Sequence, residues 1–332
     1  GSTARSAGRV VAVPVTPSSA EAAALVEALL GLGIRDAVLS PGSRSAPLAL
    51  ALAQAERSGR VRLHVRIDER SAGFLALGLA KTAGTPVPVV VTSGTAVANL
   101  FPAVVEASYA GVPLLVLSAD RPHALRGVGA AQTIDQVKLF GDHVRLFTDA
   151  APSSGDPAQA RYWRSLAGRA MAAASDPRDP GPVHLNLPFD TPLVPAPGEE
   201  AGSLEQAGGT PAQPVVSPAA ADLPLDEVLA TVGLASVPER ALVVAGDVSG
   251  AGWRDAVRVA DLAAACGWPL IAEPSAVLHR SATWLPAGPL VVGSEGWLAD
   301  HRPELVISVG RVGLYRQVLD LIGEAPRHVS ID

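Results

Sequence analysis

The sequence predicts an α/β protein built from two doubly wound, mainly parallel sheet domains. Three observations lead there. Short all-apolar runs such as Val87 to Val91 and Pro113 to Leu117 recur along the chain, as strands buried on both faces do. Segments with apolar residues at helical spacing alternate with them. Polar clusters fall where the runs stop: Ser40, Asp68-Glu69, Ser93-Gly94-Thr95 and Asp120-Arg121. These are the carboxyl ends of strands, where parallel sheets bind ligands.

Residues 1–17 read as a lead-in, and an opening Gly1-Ser2 without Met reads as a tag remnant. Ala22, Leu25, Val26, Leu29 and Leu30 then mark a helix that Ser18 or Ser19 can cap and Gly31 or Gly33 can end. Ala37 to Leu39 is a short strand that runs into a Pro-Gly turn, and a helix covers about Ala46 to Arg57. Leu63 to Ile67 is the next strand. The helix after it, about Arg70 to Thr82, is expected to bury Phe74, Leu75 and Leu77. A helix over about Thr95 to Tyr109 separates the strands Val87 to Val91 and Pro113 to Leu117. A loop holding Gln132, Thr133 and Asp135 leads to a helix over about Gln159 to Ala174 and the strand Pro182 to Leu187.

The first domain therefore runs over 18–190. Residues 191–222, rich in Pro, Gly, Ala and Ser, read as linker. The second domain, 223–332, has strands at Ala241 to Ala245, Pro269 to Ala272, Leu305 to Val309 and His328 to Ile331, with a helix from about Trp253 to Cys266. Because it stops on a strand, it reads as cut at its carboxyl end.

Composition removes several functions. At 332 residues the chain is too long for one ordinary domain. Hydrophobic residues make up 48% and aromatics only 4%, so its cores are built from Ala, Val and Leu. A net charge of −6 without a basic run argues against nucleic acid and anionic membranes as partners. No apolar stretch reaches the roughly 18 residues of a membrane span. The single cysteine, Cys266, excludes an intrachain disulfide and a CxxC metal site, and fits a reducing cytoplasm. No two histidines stand at helical i, i+4 spacing, so no metal ligand is assigned.

The polar clusters each allow two readings. Ser40-Pro41-Gly42-Ser43-Arg44-Ser45 is a turn with a solvated arginine, or an anion site using a helix N-terminus and a guanidinium. Glu69 is an acidic first-turn residue favoured by the helix dipole, or a partly desolvated carboxyl able to hydrogen-bond a pyrimidine nitrogen. Ser93-Gly94-Thr95 is a cap, or a close approach of backbone and hydroxyls to a ligand. Asp120-Arg121 is an ion pair, or part of the same site. Gln132 says nothing alone. Gly246 to Gly252 reads as a tight connection rather than a nucleotide turn.

Taken together, several words resemble the 2-succinyl-5-enolpyruvyl-6-hydroxy-3-cyclohexene-1-carboxylate synthase family, in its amino-terminal and central parts. They are Leu39-Ser40-Pro41-Gly42-Ser43-Arg44-Ser45-Ala46-Pro47-Leu48, Asp68-Glu69-Arg70, Leu77-Gly78-Leu79-Ala80-Lys81, Thr92-Ser93-Gly94-Thr95-Ala96-Val97-Ala98-Asn99-Leu100, Ala119-Asp120-Arg121-Pro122 and Gly181-Pro182-Val183-His184-Leu185-Asn186-Leu187-Pro188. The resemblance implies an enzyme of menaquinone synthesis that uses thiamine diphosphate and Mg²⁺ or Mn²⁺. It implies decarboxylation of 2-oxoglutarate and addition of the resulting carbanion to isochorismate. By the same resemblance Glu69 contacts the aminopyrimidine N1′, and Ser40, Pro41, Ser93 and Thr95 line the cofactor. Arg44 with Ser43 would hold an isochorismate carboxylate, Arg121 and Gln132 would line that pocket, and Arg316 would be a further basic contact. The first domain would bind the pyrimidine and the second would be a central Rossmann-like domain.

One departure stands out. The metal and diphosphate motif, Gly-Asp-Gly with a later Asn or Asp, is missing: the nearest match is Gly246-Asp247-Val248, and no asparagine follows Asn186. The expectation is a fragment whose diphosphate-binding third domain is absent, inactive and binding cofactor weakly or not at all. Its parent would be a cytoplasmic homodimer or homotetramer. Two rivals stay open: another thiamine diphosphate-dependent 2-oxo acid decarboxylase or carboligase, and a non-catalytic ligand-binding module. A NAD-binding domain lacks its GxGxxG fingerprint.

Overall fold

The computed structural model describes residues 16–152, 157–195, 238–248, 252–276, 278 and 281–331. The chain divides into two compact units, residues 1–216 and 217–332. Most of the expected linker lies outside the described residues.

The first unit opens with helix α1 (Pro17–Gly31). Its N-cap is Thr16, whose Oγ1 accepts from the Ser19 amide at 3.1 Å, so neither expected serine caps it. Strand β1 (Asp36–Leu39) leads to α2 (Ala46–Arg57), and β2 (Arg62–Val65) to α3 (Glu69–Ala83). Strand β3 (Val87–Val91) is followed by two helices, α4 (Thr95–Ala98) and α5 (Phe101–Ala110). The single helix expected there is broken because Pro102 cannot donate into a preceding turn and so starts a new helix. Strand β4 (Leu114–Asp120) runs to the rim. A long loop, β5 (Leu146–Asp149), α6 (Pro157–Ala174) and β6 (Val183–Pro188) complete the unit.

All six strands are parallel in the order β2-β1-β3-β4-β6-β5. One face packs on α1, α2 and α6 through Leu25, Leu48, Leu52, Trp163 and Leu166. The other packs on α3, α4 and α5 through Ala72, Ala76, Val97, Leu100 and Val104. Helix α3 turns small residues inward; Phe74, expected in the core, is 44% exposed. The reason is close packing: a Cβ on Gly73 would stand 3.0 Å from the Ala103 Cβ, so only small side chains fit between α3 and α5. Edge strand β2 is half exposed, and Ile67, placed in that strand by its sequence, lies past its end at 88% exposure.

Neighbouring strands β1 and β3 send their following helices to opposite faces. That is the topological switch point, where a crevice opens at the carboxyl ends. The two turns that flank it are pressed together: a Cβ on Gly42 would lie 2.3 Å from the Thr92 Cβ.

The second unit has strands β7 (Ala241–Ala245), β8 (Leu270–Ala272), β9 (Leu305–Val309) and β10 (His328–Ile331), parallel in the order β10-β9-β7-β8. Helix α7 (Gly252–Cys266) lies against one side of this sheet. Helices α8 (Gly288–Val292), α9 (Glu295–His301) and α10 (Arg316–Glu324) pack on the other. Gly246 serves protein packing, since a Cβ there would sit 2.1 Å from the Arg311 carbonyl oxygen. Residues 249–251 of that turn lie outside the described residues. The buried Glu273 carboxylate accepts the Gly313 and Leu314 amides at 3.0 and 2.7 Å, which pins the loop before α10.

Two glycines give opposite expectations. Gly42→Ala is expected to cost about 1–3 kcal/mol by overpacking against Thr92. Gly78→Ala, on the exposed side of α3 with open space around it, should gain about 0.5–1 kcal/mol. Urea unfolding of both variants checks the pair.

Candidate active-site rim of the first unit

The parallel register brings the carboxyl ends of β1, β3, β4 and β6 side by side. Ser40, just past β1, donates its amide to the Val90 carbonyl at 2.9 Å, and its buried Oγ has no hydrogen-bond partner among the described residues. Pro41 and Ser43 are exposed. Ser45 stands at the N-cap position of α2, but its Oγ donates to the Gly42 carbonyl at 3.1 Å, tightening the turn instead of capping the helix.

Arg44 is buried, with 5% exposure, which overturns the reading of a solvated arginine. It reaches across the sheet end to donate Nη1 to the Phe189 carbonyl at 2.7 Å, leaving Nε without a partner. Arg121 donates its amide to Asp120 Oδ1 at 2.7 Å and Nη2 to the Ala131 carbonyl at 3.1 Å; its Nε too is buried and unpartnered. Burial, and then the repulsion of Arg121, hold the Arg44 guanidinium below its ordinary pKa, against the pull of Asp190 and Asp120. Two cations with spare buried donors thus stand on one rim and repel each other, an arrangement that an anion would relieve.

Asp120 pairs with Arg126 at 2.9 Å rather than with the neighbouring Arg121 side chain. Gln132 has a left-handed backbone, φ 56°. Its Nε2 donates to the Ser93 carbonyl at 3.1 Å, and Ser93 Oγ donates back to the Gln132 carbonyl at 3.0 Å. The Ser93-Gly94 turn and the long loop are therefore stapled together. Thr95 begins α4 and is exposed.

Glu69 is the first residue of α3, behind the N-cap Asp68, whose Oδ1 accepts the Ser71 amide at 2.7 Å. The Glu69 carboxylate is half-buried and has no hydrogen bond or ion pair among the described residues. That suits a carboxylate reserved for a ring nitrogen. Glu69 follows β2, two strands away from β3, and among the described residues no hydrogen bond or ion pair joins it to Arg44, Arg121 or Gln132. Arg316 is an exposed residue at the start of α10, in the second unit. Among the described residues no group of three or more His, Cys, Asp or Glu could hold a metal.

A buried polar network beneath the rim escaped the sequence reading. Asn186 donates Nδ2 to Asp120 Oδ2 at 2.8 Å and to Asp149 Oδ1 at 2.9 Å. Its Oδ1 accepts from Ser118 Oγ at 2.9 Å and Gln136 Nε2 at 2.8 Å. Ser118 has one proton and gives it to Asn186, so the His184 Nε2–H donates to Ser118 at 2.7 Å. Arg126 neutralises Asp149 at 2.7 Å. Burial raises the Asp120 pKa, offset in part by Asn186 and Arg126. For Asp149 burial is outweighed by hydrogen bonds from Arg126 and Asn186, so its pKa is lowered. A clue was present in the sequence: His184 and Asn186 alternate with Val183, Leu185 and Leu187, which puts both polar residues on one face.

The comparisons with known proteins agree with this architecture. Residues 21–139 match the family model described as thiamine pyrophosphate enzyme, N-terminal TPP binding domain. The chain is 47% identical over 317 residues to the 2-succinyl-5-enolpyruvyl-6-hydroxy-3-cyclohexene-1-carboxylate synthase of Thermobifida fusca, covering 96% of this chain and 55% of that protein. It is 54% identical over 267 residues to the synthase of the same name from Kineococcus radiotolerans, covering 79% and 44%. For the Mycobacterium avium synthase the identity is 45% over 319 residues, covering 93% and 53%. The chain thus spans about half the length of the relatives it matches.

Burial between Phe140 and Phe147 pushes the His184 pKa down to about 3. A depressed folded pKa means stability that is present above the ordinary value of 6.5 and is lost as pH falls toward 3, because the unfolded chain takes the proton first. Between pH 7 and 4.5 this amounts to about 2–3 kcal/mol. Urea midpoints at the two pH values should show that extra slope in the wild type and not in His184→Gln.

Proposed function

We propose that this chain, a homologue of the 2-succinyl-5-enolpyruvyl-6-hydroxy-3-cyclohexene-1-carboxylate synthases over nearly its whole length, forms the pyrimidine-binding and central parts of such an enzyme. The reaction is decarboxylation of 2-oxoglutarate and transfer of the four-carbon unit to isochorismate, in the cytoplasm, on the way to menaquinone. The observation that carries the acceptor is the pair Arg44 and Arg121, each with a buried, unpartnered Nε. A dicarboxylate such as isochorismate offers the planar acceptors those donors need.

The residues present fit the pyrimidine end of thiamine diphosphate, because the Glu69 carboxylate is half-buried and uncommitted. Glu69 would hold N1′, and Ser40, Pro41, Ser93 and Thr95 would flank the ring. When bound, the cofactor supplies the electron sink for loss of CO₂. Arg44 and Arg121 bind and orient the acceptor carboxylate, with Ser43 beside them. Gln132, its amide directed by Ser93, shapes the same pocket. We assign Arg316 a basic contact with substrate. Diphosphate and Mg²⁺ or Mn²⁺ fall to sequence that the longer relatives carry outside the matched part, acting in a homodimer or homotetramer. By itself this chain is then inactive and holds the cofactor weakly.

The test joins this chain to the part of the Thermobifida fusca relative that it does not match. Turnover with isochorismate, and none with pyruvate as donor, is the expected result. Glu69→Gln should lower kcat by about 10²-fold or more, and Arg44→Ala should raise the isochorismate KM about 10- to 100-fold. Tight, metal-dependent binding of thiamine diphosphate to this chain alone, by calorimetry, would overturn the assignment of the diphosphate site.

A further inference from the structure

We infer that Gln136 is a positioning residue that makes the Ser93-Gly94-Thr95 turn and the Arg121–Gln132 loop a single rigid piece, oriented by the buried carboxylate of Asp120 and the half-buried one of Asp149 through Asn186. The inference deepens the proposed function and rests on it only for the identity of the ligand.

The argument is one of direction. Asp120 and Asp149 accept and cannot donate to an amide once ionised, so the Asn186 NH₂ must face them, as it does at 2.8 and 2.9 Å. Asn186 Oδ1 then points the opposite way and needs donors. Gln136, 1% exposed, answers with Nε2 at 2.8 Å and also donates to the Ala119 carbonyl at 3.3 Å. With its NH₂ committed there, Gln136 can only offer Oε1 on its other side. It does so to the Gly94 amide, at 2.9 Å.

Gly94 needs that hold. Its backbone, φ 86° and ψ −145°, lies where L side chains rarely go, and a Cβ would meet Gln132 atoms at 3.1 Å. The facing Gln132 also carries a left-handed backbone. Two uncommon backbone conformations therefore meet at the rim, and the order of amide orientations keeps them together. Reversing any one amide in the series would set acceptor against acceptor.

An introduced carboxyl makes this testable by pH. Protonated Gln136→Glu keeps both ends of the glutamine pattern, O–H toward Asn186 and C=O toward the Gly94 amide, and gives up only the 3.3 Å bond to the Ala119 carbonyl. Ionised, it offers Asn186 Oδ1 and the Ala119 carbonyl no donor. The titratable groups linked to it through Asn186 are Asp120 on β4, Asp149 on β5 and, by way of Ser118, His184 on β6, with Arg126 of the loop paired to both carboxylates. Burial, with the Asn186 and Ala119 acceptors facing one of its oxygens, is expected to keep the new carboxyl protonated above the usual glutamate range, against the pull of the Gly94 amide on the other.

The experiment is nuclear magnetic resonance on this chain, isotopically labelled, across pH. In Gln136→Glu, the amides of Ser93, Gly94 and Thr95 and the Arg121 Nε–H should match the wild type at low pH. They should shift together as the introduced carboxyl ionises, with Gly94 exchanging at least about tenfold faster. Gln136→Met should show the shifted state at every pH, and it carries the test if the glutamate variant does not fold. Rim signals that ignore that titration, or a Gly94 amide as protected in Gln136→Met as in the wild type, would overturn the inference. Isochorismate added to the wild type addresses the other question: rim signals that couple as described but do not respond to isochorismate sink the ligand assignment and support the positioning role.

Discussion

Asn186 has no exposed surface and uses both lone-pair positions of its carbonyl and both hydrogens of its amide. A buried polar group is tolerable only on those terms, since an unmade bond there costs about 1–3 kcal/mol. Around this one side chain, strands β4, β5 and β6 and the long loop find a common electrostatic reference. Two carboxylates stand on one side, neutralised by Arg126. Ser118, His184 and Gln136 stand on the other. The sheet supplies the register, with Ser118 and Asp149 both opposite Asn186. The amide converts that register into a fixed arrangement of the groups above it.

Those groups are poised rather than satisfied. Arg44 and Arg121 keep unpartnered donors, and Ser40 keeps an unpartnered hydroxyl, above a network in which Asn186, Ser118 and Gln136 are bonded and only the His184 Nδ1 acceptor is left over. The contrast between a lower tier whose donors are all used and an upper tier with donors to spare separates stability from recognition. The lower tier carries the packing and the charge balance. The upper tier holds like charges on one rim, at a cost that a bound anion would offset.

Most of the framework could be read from the residues. Continuous Val and Leu runs mark buried parallel strands, and β3, β7 and β9 fall where those runs lie. Strand β5 was hidden because Leu146–Asp149 is short, half-buried and mixed in polarity. Helix α10 was also missed. Phe74 misled because size was taken for burial; the Ala and Gly positions of α3 do the packing. At the site, the motif residues could be located, but their state could not. Whether Arg44 is solvated depends on Phe189, 145 residues away, and no local pattern reports so remote a partner. Gln136 and Asn186 are ordinary polar residues in the text of the chain, and only the register makes them neighbours.

The strand order β4-β6-β5 has a temporal consequence. Strand β5 is synthesised before β6, yet in this sheet β6 lies between it and β4. Until Val183–Pro188 leaves the ribosome, β5 has no neighbour, Asp120 and Asp149 lack Asn186, and Arg44 lacks the Phe189 carbonyl. Early-made parts of the rim must wait for its last strand, so the first unit closes late and as a whole. Non-local closure of this kind slows folding, and a nascent chain halted before that strand exposes unpaired strand edges, a state prone to aggregation.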